Sequence, residues 1–298
     1  MEIPRRSVLV AGLGVLATAC SGHSSDASAP AGWVAPSRIG IGSYPADPTT
    51  ARSDPTATGL PSVTLWVPGP GELVPACKVA AVRRVEAGGS GGQTALQVID
   101  AQYGGLLADS ASVLVVTRSW STATGRLTTG GHTYDVRLSR AGASWRVTAV
   151  NPSRPGAPAT HLTPAARRVL AEDRITLPPA AAADIRSGRV HDSVLTALLT
   201  VARTHRPHVS VVRTGHPLHV FGTTRLSDHP QGRAFDTWAI DGQSVVDPRT
   251  PRTPVEDYMH AVAAAGSYNV GGPYLLGAAP QWFSDDTHHD HVHAGFTT

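Results

Sequence analysis

Two stretches near the end of the chain decide its fold: SDHPQGRAFD at residues 227–236 and HHDHVH at residues 288–293. The chain has 14 histidines, and four of them fall within the second stretch. A catalytic zinc site needs three protein ligands of the His, Asp or Glu type and an open position for water. The two stretches together supply enough such side chains, so they predict a metal centre in this part of the chain.

The spacing within each stretch fits such a centre. His291 and His293 are two residues apart, so their side chains share one face if they lie on a strand. Asp290 then lies on the opposite face unless the strand begins with a bend. Gly232 and Ala234 are small residues, which allow the backbone to approach closely around the site.

The two stretches also carry a family resemblance. The pattern Ser-x-His-x-x-Gly-x-Ala-x-Asp, followed by a late Asp-His-x-His strand, resembles the zinc D-alanyl-D-alanine carboxypeptidases and endopeptidases, which share a fold with the hedgehog signalling domain. Every fixed position of both patterns is matched in this chain. The resemblance covers roughly residues 165–298 and implies an α+β peptidase domain there, with Zn²⁺ as cofactor and peptidoglycan stem peptides as substrate.

The resemblance assigns roles to residues by their position in the motifs. It implies that His229, Asp236 and His293 are the metal ligands. It also implies that Asp290 is the general base, which takes a proton from the attacking water and later returns it to the leaving amine.

Further catalytic roles follow from the same resemblance. It implies that His291 supports the ligands or stabilises the developing oxyanion, and that His288 is a further active-site histidine. An arginine that pairs with the substrate's carbonyl or carboxylate is common in the family. We expect Arg213 in this role, with Arg225 as the alternative.

Other histidines are expected to be bystanders. His216 and His219 flank an apolar Pro-Leu pair and are expected to be loop or core residues, and His289 is expected to play no part. The chain has no His-Glu-x-x-His motif, so the commonest zinc-peptidase helix is excluded.

Charge and composition narrow the possible partners. The formal net charge is +3, the basic residues form no run, and Lys78 is the single lysine among the 25 basic residues. Nucleic-acid binding is therefore not favoured.

The N-terminus indicates export. Arg5 and Arg6 precede a short apolar stretch at residues 8–17, which is typical of a bacterial signal peptide over residues 1–19. Cys20 follows small residues and resembles a lipobox cysteine, which implies a lipid anchor in the cell membrane and an extracytoplasmic location. The alternative to a lipid anchor is ordinary cleavage near Ala19 and release of the protein. Arg5 and Arg6 also resemble a twin-arginine export signal, which is a weaker match.

The chain has two cysteines, Cys20 and Cys77. If Cys20 carries lipid, Cys77 is left single and no internal disulfide is possible. The alternative is a bridge between the two.

The composition predicts five segments, and the fold class is α+β. We expect a signal peptide at residues 1–19, a disordered tether at 20–59, a small α+β accessory domain at 60–151, a proline-rich linker at 152–164 and the zinc peptidase-like domain at 165–298.

Periodicity predicts the elements of both domains. In the accessory domain it predicts a helix at 93–107 and strands at 62–67, 112–120, 132–139 and 144–150. This order resembles, in pattern only, the cone-shaped nuclear-transport-factor-like fold. In the second domain it predicts helices at 164–172, 191–204 and 254–265 and strands at 208–212 and 290–296.

Two functional alternatives remain at this point. The first is a non-catalytic binding or structural module that keeps the fold and a structural zinc. The second places the function in the accessory domain, with the peptidase-like part as a wall anchor.

Overall fold

The computed structural model describes residues 59–298, which fold as a mixture of five helices and two sheets. The α+β class is therefore confirmed. The expected signal peptide, Cys20 and nearly all of the expected tether lie outside the described residues. No helix in the described part of the chain is long and apolar enough to cross a membrane.

The first sheet is antiparallel, and its strands follow the order β1-β2-β4-β5 with β3 paired to β2. It is preceded by one helix. The elements are α1 (Pro75–Gly89), β1 (Thr94–Leu106), β2 (Ser110–Ser121), β3 (Thr128–Gly130), β4 (Thr133–Ala141) and β5 (Ser144–Pro152). The strands predicted at 112–120, 132–139 and 144–150 are confirmed by β2, β4 and β5.

Two predictions for this region are wrong. Residues 93–107 form β1 rather than a helix, and residues 62–67 form no regular element. Register shifts in β1 between Val98 and Asp100 and between Tyr103 and Gly105 break the alternation of a regular strand. The apolar residues of this strand are therefore spaced as on one face of a helix, which explains the wrong prediction.

The helix of this region, α1, lies earlier in the chain and was not predicted. Pro75 stands at its first position, and its buried face consists of small apolar residues interrupted by Lys78. A charged residue on the buried face obscures the apolar stripe by which such a helix is recognised.

The second sheet has the order β10-β9-β11-β7-β6, with β8 paired to β7. Its strands are β6 (Pro207–Val209), β7 (Ala234–Ile240), β8 (Gln243–Ser244), β9 (Asn269–Gly271), β10 (Trp282–Phe283) and β11 (Val292–Gly295). Its helices are α2 (Pro164–Ala171), α3 (Pro179–Arg186), α4 (Asp192–Val201) and α5 (Arg252–Ala264). The predicted helices are confirmed as α2, α4 and α5, and the strand predicted at 290–296 as β11. Of the strand predicted at 208–212, only residues 208 and 209 lie in β6, and α3 was not predicted.

Both faces of the first sheet are covered. Helix α1 packs on one face, where Val82 and Val85 join the apolar core of β1, β2 and β4. On the other face Leu114 and Val116 of β2 pack against Val211, which follows β6. The polar contacts described below also cross this junction, so the two sheets meet at the candidate site.

Candidate metal centre

The second sheet places two of the predicted ligands side by side. His293 of β11 lies directly opposite Asp236 of β7 in the antiparallel register, so their side chains project from the same face. The loop before β7 brings His229 to the same place, and the amide of Gly232 donates to the carbonyl of His229 within it.

Gly232 is required by the shape of this loop. Its φ is +73°, and a Cβ atom there would lie 2.1 Å from the carbonyl oxygen of Arg189. Only glycine, which has no Cβ, fits this backbone conformation with a carbonyl oxygen so close. The fixed glycine of the motif therefore has a physical reason.

The three predicted ligand atoms form a small buried triangle. Asp236 Oδ1 lies 3.0 Å from His229 Nε2 and 3.0 Å from His293 Nδ1, and the two nitrogens are 3.2 Å apart. The residues are 0%, 1% and 8% exposed in the order His229, Asp236 and His293. Ligands about 2.0–2.2 Å from a tetrahedral ion are about 3.3–3.6 Å apart. The three atoms are slightly closer together than this, so they are near enough to share one metal ion.

The protonation of these residues also fits a cation. His229 Nδ1 lies 3.0 Å from the carbonyl oxygen of Val212, so this nitrogen carries the hydrogen and Nε2 offers a lone pair. Burial lowers the pKa of His293 to about 4, so its ring is neutral. Burial alone would raise the pKa of Asp236, but His229 and His291 hold it well below its usual range. Two imidazole nitrogens and a carboxylate oxygen thus face one another, and these are ligand types that divalent metals take.

A residue of the first sheet orients the carboxylate of Asp236, one of the three predicted ligands. Gln102 of β1 is 1% exposed, and its Nε2 donates to Asp236 Oδ2 over 2.7 Å. The hydroxyl of Ser210 donates to Gln102 Oε1 and so fixes the orientation of the amide. This bond occupies Oδ2 and leaves Oδ1 to the triangle.

His216, expected to be a loop or core residue, lies against the centre. Its ring stacks on that of His229, with centroids 4.2 Å apart and an angle of 18° between the planes. His216, His229 and Asp236 each offer a ligand atom within 4.8 Å of the others. His219, by contrast, is exposed.

A pocket of about 680 Å³ opens beside the centre. His293, His291 and His288 line it, and one wall is formed by Tyr103, Gly104 and Leu106 of β1 and by Leu107, which follows the strand. Both sheets therefore shape the space in which a ligand would contact the centre.

His291 is held by Asp290. Its Nδ1 lies 2.6 Å from Asp290 Oδ1, and its Nε2 lies 3.9 Å from Asp236 Oδ2. The ring is 2% exposed and lines the pocket. This is the arrangement in which a carboxylate fixes the tautomer and orientation of a histidine.

Asp290, expected to be the base, does not line the pocket. Its Oδ2 accepts a bond of 3.0 Å from the amide of Tyr103 and lies 2.6 Å from Lys78 Nζ. Burial would raise its pKa, but Lys78 and His291 hold it well below its usual range. The geometry favours an orienting role for Asp290 over direct proton transfer.

His288 forms a second histidine–carboxylate pair. Its Nδ1 lies 2.7 Å from Asp285 Oδ1, and its ring centroid lies 5.1 Å from that of His291. Burial would raise the pKa of Asp285, but the bond from His288 lowers it to about 2. His288 therefore lines the pocket in an orientation set by a carboxylate.

The structure does not bring Arg213 to these histidines. Its guanidinium lies 3.5 Å from the carbonyl oxygen of Pro155, and it lines a smaller pocket of about 390 Å³ together with Arg154. Arg225, the alternative, lines the main pocket.

A second group with potential ligand atoms, Glu72, His289 and Asp290, lies behind His291. Its carboxylates already contact the ammonium of Lys78. Because a cationic side chain occupies the space between them, this group is better described as a buried ion cluster than as a metal site.

The contributions of Lys78, Gln102 and Asp285 were not predicted. The contacts of Lys78 and Gln102 with the centre join residues more than 100 positions apart, which no local pattern reveals. The one available signal was that Lys78 is the single lysine of the chain.

Comparisons of the chain with protein-family models, with curated proteins and with solved structures found no match. The family resemblance thus depends on the two motif stretches alone.

Proposed function

We propose that this chain is a zinc-dependent peptidase that hydrolyses peptide bonds of peptidoglycan stem peptides, as a carboxypeptidase or an endopeptidase. The observation that carries the proposal is the buried triangle of His229 Nε2, Asp236 Oδ1 and His293 Nδ1 beside a pocket lined by further histidines. A hedgehog-like fold over residues 165–298, and a cone-like fold for the first sheet and α1, belong to the same proposal.

In this proposal His229, Asp236 and His293 hold the metal. When bound, zinc would supply Lewis-acid polarisation of a carbonyl group and activation of water.

The residues around the triangle would handle charge and protons. His291 faces the pocket from a ring fixed by Asp290, so it is suited to stabilise an oxyanion by hydrogen bonding. His288, oriented by Asp285, is suited to accept a proton on the pocket side and to pass it to a leaving amine.

The substrate class depends on the resemblance and on the export signal. The pocket adds two supporting features. Its volume accommodates several residues of a peptide, and the guanidinium of Arg225 on its wall suits a substrate carboxylate.

The test combines metal analysis with hydrolysis of defined stem peptides, both linear and cross-linked. Asp236→Asn should lose zinc and activity together. His291→Gln should keep zinc and lose about 10²–10³-fold in kcat, as for loss of an oxyanion-stabilising donor. His161→Asn, at an exposed position outside the site, is the matched control and should behave as wild type. A zinc-loaded wild-type protein that cleaves none of these peptides would refute the peptidase proposal.

One observation favours a second candidate function, a non-catalytic, zinc-containing lipoprotein that binds the cell wall. Lys78 and the amide of Tyr103 engage the carboxylate that the resemblance makes the base. Retention of the protein on insoluble peptidoglycan, without release of any fragment, would support this candidate.

We also propose that the protein is exported and anchored in the cell membrane through a lipid on Cys20. This depends on the sequence of residues 5–20, which lie outside the described part of the chain. Cys20→Ser should move the protein from the membrane fraction to the soluble extracytoplasmic fraction, and its persistence in membranes would contradict the anchor.

A further inference from the structure

The chain's single lysine is buried at the junction of the two sheets. Lys78 lies on the inner face of α1 and is 0% exposed. The other 24 Lys and Arg residues of the chain are all arginines. Lysine is almost never fully buried unless its charge is paired.

The partners of Lys78 connect it to the candidate site. Its Nζ lies 2.6 Å from Asp290 Oδ2, contacts Glu72 Oε2, and stands 4.9 Å from the centroid of the Tyr103 ring. Burial alone would lower the pKa of Lys78, but Asp290 and Glu72 raise it above its ordinary value. The side chain is therefore an ammonium ion whose neighbours fill the space around it.

The segment that carries Glu72 is itself held in place. The hydroxyl of Tyr103 shares its one hydrogen between the carbonyl oxygens of Leu73 and Val74, which lie 2.8 and 3.1 Å from its oxygen. Val74 has a φ of +43°, which is strained for a β-branched residue. Strained backbone of this kind persists where the surrounding structure over-determines it, often at functional sites.

Stability alone does not explain a buried ion pair. The desolvation of two charges offsets most of their attraction, and apolar replacements of buried pairs are often neutral or stabilising. What the pair does provide is a fixed position for Asp290, whose other oxygen holds His291.

We propose that Lys78 is a positioning residue of the active site, which acts through Asp290 to fix the ring of His291 towards the pocket. The first sheet and α1 are then a working part of the site rather than an accessory. This inference rests on the proposed function for its catalytic readout, but not for its spectroscopic one.

The main test compares Lys78→Met with Arg84→Met. Methionine is unbranched like lysine, is one atom shorter and carries no charge, and Arg84 lies on the exposed face of the same helix. Lys78→Met should keep its zinc content and its KM and lose about 100-fold in kcat, the usual consequence of misplacing a catalytic group by about 1 Å. Arg84→Met should match wild type in all three measurements.

The second readout needs no activity. In metal-free protein with ¹⁵N-labelled histidine, the hydrogen on His291 Nδ1 should give a sharp, low-field, slowly exchanging proton signal, assigned by its absence from His291→Gln. This signal should persist in Arg84→Met and broaden or disappear in Lys78→Met.

Lys78→Met leaves a carboxylate buried without its partner, so it could fail to fold. The double variant Lys78→Met/Asp290→Asn removes both charges of this pair. It leaves Glu72, whose carboxyl can hold a proton because burial raises its pKa to about 7. Its kcat should equal that of Asp290→Asn alone, because the lysine acts only through the carboxylate.

The outcomes separate the two proposals. Full kcat and an unchanged His291 signal in Lys78→Met would overturn the role of Lys78 while the peptidase proposal stands. A further loss of kcat when Lys78→Met is added to Asp290→Asn would also overturn it. An inactive wild type would overturn the peptidase proposal, and the His291 signal would still decide the role of Lys78.

Discussion

Replacing Gln102 should weaken metal binding although this residue is not a ligand. Its amide donates to Asp236 Oδ2 over 2.7 Å in a fully buried setting. A hydrogen bond to a charged group contributes about 1.5–3 kcal/mol, and loss of a residue that orients a ligand lowers metal affinity about 10–100-fold. Gln102→Met conserves the volume of the side chain and removes the donor. We expect zinc affinity to fall by this factor, equivalent to about 1.4–2.7 kcal/mol.

Gln97→Met is the matched control. Gln97 lies on the same strand, and its side chain bonds to Thr64 and to the carbonyl oxygen of Val98, not to the metal centre. Competition with a chromogenic chelator gives the zinc affinity of each variant, and thermal unfolding of the metal-free proteins shows whether the fold is intact. Equal zinc affinity of Gln102→Met and Gln97→Met would refute the claim that the first sheet supports the metal ligands.

Two further predictions concern stability. Gly232→Ala should destabilise the fold by about 2–5 kcal/mol in chemical unfolding, since a positive φ costs about 1–2 kcal/mol and overpacking about 1–3 more. Gly242→Ala is the control, because Gly242 has a φ of +81° and nothing lies within 4 Å of an added Cβ. It should show only the cost of the positive φ, and equal losses of stability in the two variants would contradict this explanation. Burial raises the pKa of Glu72 from 4.5 to about 7, so its contribution to stability is complete below pH 4.5 and is lost as the pH rises through 7. The Tm of wild type should therefore fall between about pH 5 and pH 8 by more than that of Glu72→Gln, and parallel curves would show that Glu72 does not titrate in this range.

The second half of the chain was largely predictable because its signals are local. Helices α2, α4 and α5 carry apolar periodicity, and α2 and α5 have proline in their first turns. The strands β6 and β11 are short β-branched or alternating runs. The convergence of His229, Asp236 and His293 was anticipated from motif resemblance. His229 and Asp236 are seven residues apart, so the sequence places them in a loop and in the strand that follows it. The pairing of β7 with β11, which brings His293 to them, is a long-range contact that the sequence pattern does not define.

The first half was less predictable because tertiary contacts override its local pattern. Strand β1 is covered on both faces and interrupted by two register shifts, so its burial does not alternate. The buried lysine of α1 hides the apolar face of that helix. For the same reason the contacts of Gln102 and Lys78 with the site emerge only when the two sheets are seen together.

The most direct test of the account is a crystal structure of the zinc-loaded protein, with anomalous diffraction recorded on both sides of the zinc absorption edge. We expect one strong anomalous peak per chain, within about 2.0–2.2 Å of His229 Nε2, Asp236 Oδ1 and His293 Nδ1. A peak located elsewhere, or no ordered zinc at this triangle in protein that has been loaded with the metal, would contradict the central claim.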